Sequence, residues 1–172
     1  MRMEEFLFSY REEVFDRWFQ GVFAEYAPET ARFLRNEKDQ FANPVGHALY
    51  EGLEGLYREL LLEKASPQIH LYLEKILQVR AVQDFAPSQA VSFVLRLKEV
   101  VREEVKKREP QVKVTVESWL AFEEKVDSLV LLAFDVYSQY RERLYEIKVK
   151  ELKNSIEVFR RRLNQETEKL RT

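Results

Sequence analysis

The sequence predicts an all-α protein, a bundle of about five to six helices that ends in one long helix. Three observations carry this. Apolar residues recur at spacings of three and four through most of the chain, the period of a helix face. Four glycines and five prolines in 172 residues leave too few tight turns for a β-sandwich or barrel. No helix breaker occurs from Glu117 to the end. With 45% hydrophobic and 13% aromatic residues, the 20.7 kDa chain can bury a core as one domain plus an extra helix.

The first helix is expected over about residues 4–26, where Leu7, Tyr10, Val14, Trp18, Val22 and Tyr26 form one stripe. Pro28 and the polar run from Arg35 to Gln40 end it, with room for a short turn around Thr30 to Leu34. Asn43-Pro44 pairs a favoured N-cap with proline at the first helical position, and Val45, Leu49, Leu53, Leu56, Tyr57 and Leu60 then line a helix to about Glu63. Ser66-Pro67 repeats that start, followed by Ile69, Tyr72, Leu73, Ile76 and Leu77. The residue before Pro87 is pushed out of helical geometry, so a corner falls at residues 83–87. The next helix, about 87–107, buries Ala90, Phe93, Val94, Leu97 and Val101. Val112, Val114 and Val116 alternate like a strand but have no second strand to pair with, which makes them an extended linker. In the last segment Trp119, Phe122, Val126, Leu129, Ala133, Val136 and Tyr140 mark a core helix. A heptad follows: Tyr145, Val149, Leu152, Ile156, Phe159, Leu163 and Leu170, interrupted at Glu166. The chain is expected to divide into 1–145 and a coiled-coil-like extension, 146–172. That extension either pairs with a partner through Leu152, Ile156, Phe159 and Leu163, a parallel homodimer being the first expectation, or folds back on its own bundle.

Composition excludes several function classes. Without cysteine there is no disulfide scaffold, thiol nucleophile or Cys-ligated metal, and no glycine-rich phosphate loop occurs. A net charge of −2 gives no overall basic footprint for nucleic acid. The charge is uneven, however: residues 143–172 hold 9 Lys+Arg against 5 Asp+Glu, and residues 1–142 hold 19 against 25. A basic helix can meet an acidic partner, or be a solvated face. No apolar run approaches the roughly 20 residues of a membrane helix, and MRMEEF lacks the build of a signal peptide, so a cytosolic protein without membrane insertion is expected.

Few residues can carry chemistry. His47 and His70 are the only imidazoles, and the carboxylates that a di-iron bundle needs three residues earlier are Pro44 and Pro67. His47 with Glu51 shares a helix face, but two ligands do not make a metal site. Both histidines are weak cofactor candidates, as haem ligands, beside the more usual structural role. Gly46, Gly52 and Gly55 within one helix mark either a ligand groove or a close helix–helix contact. Arg80, Gln83, Asp84, Ser88 and Gln89 form a polar corner in which Asp84 or Ser88 can cap the following helix and Arg80 can pair with Asp84. No nucleophile–base pair assembles, so no catalytic residue, resident cofactor or metal is expected, and the chain is expected not to be an enzyme.

Two stretches, FANPVGH from Phe41 to His47 and RAVQDFAPSQAVSF from Arg80 to Phe93, together resemble the N-terminal domain of the RsbRD-type co-antagonists, regulators of the RsbT switch kinase. AFDVY from Ala133 and YEIKVKELK from Tyr145 resemble the end of stand-alone members, so the resemblance spans roughly residues 5–155. It implies a helical sensory domain akin to the non-haem globin-like domains of stressosome proteins, hence a globin-like or related bundle. In such proteins a dimeric front domain is joined by a long helix to a STAS-type output domain that the kinase phosphorylates. This sequence stops at Thr172 and is expected to lack that output domain, so no phosphorylated or catalytic residue carries over. The expectation is a non-enzymatic sensory module of the stress response, signalling through dimerisation and its C-terminal helix, with a STAS-domain protein or kinase as partner. The alternatives are a globin-like sensor holding haem or another apolar cofactor, and an accessory subunit of a larger respiratory complex.

Overall fold

In the computed structural model the described residues are 1–37, 39–62 and 66–169, and they form seven α-helices, one 3-10 turn and no strand. The first expected helix is two. Helix α1 (Met3–Ser9) ends at Tyr10, whose ψ of 32° leaves helical geometry, and α2 (Arg11–Val22) restarts on the same stripe. Because the phase is kept, Leu7, Val14, Trp18 and Val22 are all buried although the helix is broken. A 3-10 turn (Phe23–Glu25) follows, and the expected short turn near Thr30 is a full helix, α3 (Pro28–Asn36), which buries Ala31 and Leu34.

Asn43 caps α4 (Pro44–Leu60) as the sequence predicts, its Oδ1 accepting from Gly46 N at 2.8 Å. Its Nδ2 also donates to Leu34 O and Glu37 O, both at 3.0 Å, closing the end of α3. One buried amide thus satisfies orphan groups of two helix ends. The expected end of this helix at Glu63 lies outside the described residues. Helix α5 (Gln68–Val82) starts one residue later than the Ser66-Pro67 pattern implies, yet Ser66 Oγ accepts from Gln68 N at 3.2 Å as a cap does, and also donates to the buried Glu59 carboxylate at 2.8 Å.

Helix α6 (Pro87–Arg108) packs on α2, and α4 on α5. Trp18 Nε1 donates to Phe93 O at 2.7 Å, so the largest core side chain leaves no polar atom unpaired. Beside it stands a charged cluster. Glu104, fully buried, accepts from Arg17 at 2.5 Å and from Arg108, while Arg108 also meets Glu13 at 3.5 Å and covers the Tyr10 ring at 4.0 Å. Burial raises the pKa of Glu104, and the bonds from Arg108 and Arg17 outweigh it, holding the carboxyl below its usual range.

Helix α7 (Val116–Lys169) contributes to two compact units, Met1–Ser138 and the residues from Gln139 on. In the first unit Phe122, Val126, Leu129, Ala133 and Val136 are buried as expected, joined by Tyr137. Thr115 N bonds Met1 O at 3.3 Å and Met3 N bonds Ser118 Oγ at 2.5 Å, so the residues around the start of α7 hold the start of α1. The second unit is a helix with no buried described side chain. No helix among the described residues is long and apolar enough to cross a membrane.

Candidate functional site

On α5 the buried stripe Leu73, Ile76, Leu77 continues into Arg80, whose side chain is 0% exposed. The guanidinium is held by backbone oxygens from two other helices. Nη1 donates to Gln89 O at 2.7 Å and Ala90 O at 3.2 Å, and Nη2 to Val22 O at 3.2 Å. The carboxylate it meets is that of Glu25, at 3.4 Å, and not the expected Asp84. The rings of Phe85 and Phe93 lie 5.0 and 5.3 Å from Cζ, a cation–π enclosure that offsets part of the loss at Nε, which is buried without a hydrogen bond. Burial pushes the guanidinium pKa down, against the pull of Tyr26 and Glu25, and burial pushes the Tyr26 phenol up.

The corner after α5 follows from local geometry. Asp84 takes φ 57°, the left-handed region, so that Asp84 N reaches Ala81 O and Phe85 N reaches Arg80 O, both at 3.2 Å. These are the paired bonds of a Schellman ending, normally reserved for glycine. Neither Asp84 nor Ser88 caps α6. Gln89 does so by reaching back, its Oε1 accepting from Ala86 N at 3.1 Å, because Pro87 shifts the cap position to an alanine. Around the corner Ser92 Oγ donates to Glu25 Oε1 at 2.7 Å, Tyr26 to Gln83 Oε1 at 2.8 Å, and the Tyr137 hydroxyl to Phe85 O. The arrangement ties α2, α5, α6 and α7 together. Its polar groups bond one another and backbone carbonyls, the pattern of a structural knot.

The two histidines are apart in role and place. His47 on α4 is half-buried beside a groove of about 440 Å³ lined by Phe19, Leu34, Arg35, Glu37, Gly46 and Tyr50. Its Nε2 lies 3.2 Å from Glu51, which also accepts from Lys75 at 2.6 Å; that bond leads in holding the Glu51 carboxyl below its usual range. His70 on α5 faces Glu74 at 3.7 Å. Among the described residues no group of three carboxylates or imidazoles is placed to hold a metal ion.

The glycines of α4 make helix contacts. A methyl group at Gly55 would lie 2.2 Å from Tyr72 Cδ1, and one at Gly52 2.6 Å from Ile76 Cγ1, so both allow α5 to approach. At Gly46 the space is taken by Asn43 and by Leu34 O. Sequence reasoning missed a second concavity of about 700 Å³, where Arg102, Lys106, Lys113 and Trp119 come together from α6, the linker and α7. Its only sequence signal was cations four and seven residues apart on either side of Pro110.

In the second unit the heptad face stands open. Leu152, Ile156, Phe159 and Leu163 are 63–65% exposed, and Tyr145 and Val149 are also exposed. The last expected heptad residue, Leu170, lies outside the described residues. No curated protein and no solved structure matches the chain. The model of one family, the RsbT co-antagonist protein rsbRD N-terminal domain, matches residues 12–152, from α2 through the Arg80 corner to the start of the open heptad face, and the chain belongs to that family.

Proposed function

We propose that this protein is a non-enzymatic sensory or regulatory module of the stressosome type, acting in the cytoplasm, whose output is carried by its C-terminal helix. The observation that supports this most directly is the exposed row Leu152, Ile156, Phe159 and Leu163 in a member of this family. Apolar side chains at heptad spacing gain by burial only when a second helix covers them. In this reading the helical body responds to a signal or a bound partner and passes the change along α7 as a shift or rotation. Pairing of the open face is the output. A homodimer is one way to meet it, with a STAS-domain protein or switch kinase downstream. The test is the full-length Ile156→Asp/Phe159→Asp variant beside a chain ending at residue 145, compared with wild type in oligomeric state and in binding to a purified switch kinase or STAS-domain protein. Loss of association in both supports the reading; unchanged association in both sinks it.

The groove beside His47 favours a second reading, a globin-like sensor that takes haem or another flat apolar ligand there. Haemin titration decides it. A Soret shift abolished in His47→Ala and retained in His70→Ala supports this site, and no shift, or one that survives the double variant, ends it.

A further inference from the structure

The proposed role of the C-terminal helix leaves open what covers its face, and the residues flanking the seam answer that. In the heptad frame Val149, Ile156 and Leu163 occupy a, and Tyr145, Leu152 and Phe159 occupy d. β-Branched residues at a with leucine at d favour a two-stranded coil, and Val149, Ile156 and Leu152 at the middle of the seam follow that pattern, so one partner helix is called for. The e and g positions beside this seam carry Lys148, Lys153, Arg160 and Arg162 against a single acid, Glu146. All five are exposed, and among the described residues the four cations form no ion pair. The acids of this stretch lie elsewhere: Glu157, at b, pairs with Arg161, at f, on the outer side of the helix.

A second copy is a poor match for these flanks. In a parallel pair each g residue meets the e residue of the next heptad, which sets Lys148 against Lys153 of the copy and gives Arg162 only Thr167. In an antiparallel pair centred on the seam, e meets e and g meets g, which sets Lys153 against its own copy and Lys148 against Arg162, with Glu146 opposite Arg160. Either arrangement brings like charges together, and the one cation that meets an acid is Arg160, opposite Glu146 in the antiparallel pair, against repulsion at Lys148, Lys153 and Arg162. We infer that the seam from Tyr145 to Leu163 receives an amphipathic helix of a different protein, apolar at a and d and acidic at e and g. This rests on the proposed output role of the helix and adds the chemistry of the partner. The family match ends at residue 152, so Lys153, Arg160 and Arg162 lie beyond what the family defines.

The experiment uses the full-length protein and two fluorescent peptides of about four heptads, both with Ile at a and Leu at d, one with Glu and the other with Lys at every e and g. Self-association is followed by sedimentation at low and high salt. At low salt the Glu peptide is expected to bind at least about tenfold more tightly than the Lys peptide, since four flank contacts change from attraction to repulsion. The preference should collapse at 1 M salt, where the screening length falls to about 3 Å. Replacing Lys148, Lys153, Arg160 and Arg162 together by Glu should invert the preference, and Ile156→Asp/Phe159→Asp should abolish binding of both peptides. Equal affinity for the two peptides, or a low-salt dimer that Ile156→Asp/Phe159→Asp dissociates, overturns the acidic-partner inference while leaving the output role of the helix standing. No binding of either peptide together with no self-association at any salt overturns that output role as well.

Discussion

Arg80→Met tests whether the buried knot at the α5–α6 corner holds the helical body together. Methionine follows the stem of arginine as far as Nε, so the change removes the charge and the donors and leaves a gap the size of the guanidinium head. What is left behind is specific. Val22 O loses its donor near the end of α2, Gln89 O and Ala90 O lose their contacts of 2.7 and 3.2 Å, and the Glu25 carboxylate keeps only Ser92. Gln89 O and Ala90 O retain their helical bonds, so the main losses are at Val22 O and Glu25. Removing one partner of a buried ion pair costs about 3–5 kcal/mol. For a chain of this size that corresponds to a fall in Tm of roughly 6–20 °C. Urea and thermal unfolding followed by circular dichroism at 222 nm measure it. Glu25→Gln alone should cost about 1 kcal/mol, because Gln still accepts from Ser92. The double variant should cost less than the two singles summed, by about 1–2 kcal/mol. An Arg80→Met protein within about 1 kcal/mol of wild type, or strict additivity with Glu25→Gln, would refute the assignment of Arg80 as the tie between α2 and α6.

Glu104→Gln should destabilise by about 2–3 kcal/mol at neutral pH, since Arg17 and Arg108 lose their shared carboxylate. Its folded-state pKa lies below the unfolded value, so its contribution is present above about pH 4.3 and is lost as pH falls through the folded value; the difference between wild type and variant in urea unfolding should narrow as pH falls below the unfolded value. A difference that stays constant as pH falls would contradict this. Gly55→Ala places a methyl group against the Tyr72 ring, and the cost of about 1–3 kcal/mol from overpacking should exceed the helix-propensity gain of about 1 kcal/mol. A variant more stable than wild type would show that Tyr72 moves aside freely. Asn43→Ala removes the cap of α4 and the closure of α3 together and should cost about 2–4 kcal/mol, whereas Asn43→Asp, which keeps the acceptor, should recover part of it.

Helix positions were largely legible because proline and capping residues act locally. Asn43-Pro44 and Pro87 mark the starts of α4 and α6, and the long α7 follows from an unbroken pattern. The break at Tyr10 left no trace because the apolar stripe continues in phase across it. Helix α3 was hidden by its short length and the polar run that follows it. The interior of the Arg80 corner was unreadable for a different reason. Its partners Val22 and Glu25 lie 58 and 55 residues away, beyond any i, i+4 reasoning. One signal was there: Arg80 stands three residues after Leu77, and Glu104 three after Val101, each on a buried stripe. A charge on such a stripe marks a buried ion pair, and both residues are fully buried. The left-handed Asp84 gave no comparable sign, since aspartate before Phe-Ala-Pro suits an ordinary cap equally well.

The two parts of the chain that drew attention in the sequence act in opposite ways. The stretch Arg80 to Phe93, by which the chain resembles its family, supplies the guanidinium fork, the αL corner, the Gln89 cap and the carbonyl that receives Trp18; all four stabilise the bundle. Such a stretch identifies the fold and says little about the signal. On the face from Tyr145 to Leu163 the apolar heptad side chains are exposed. Covering the exposed two-thirds of Leu152, Ile156, Phe159 and Leu163 is worth about 1–2 kcal/mol per side chain, roughly 4–8 kcal/mol in all. Association itself costs about 4–15 kcal/mol. Apolar burial on this face alone therefore brings pairing close to balance, and in the proposed pairing the flanking charges would decide which helix binds and which is refused. A contact so poised would form with a complementary partner and release it when the helix is disturbed, which is the behaviour that the proposed relay role requires and a permanent structural interface does not.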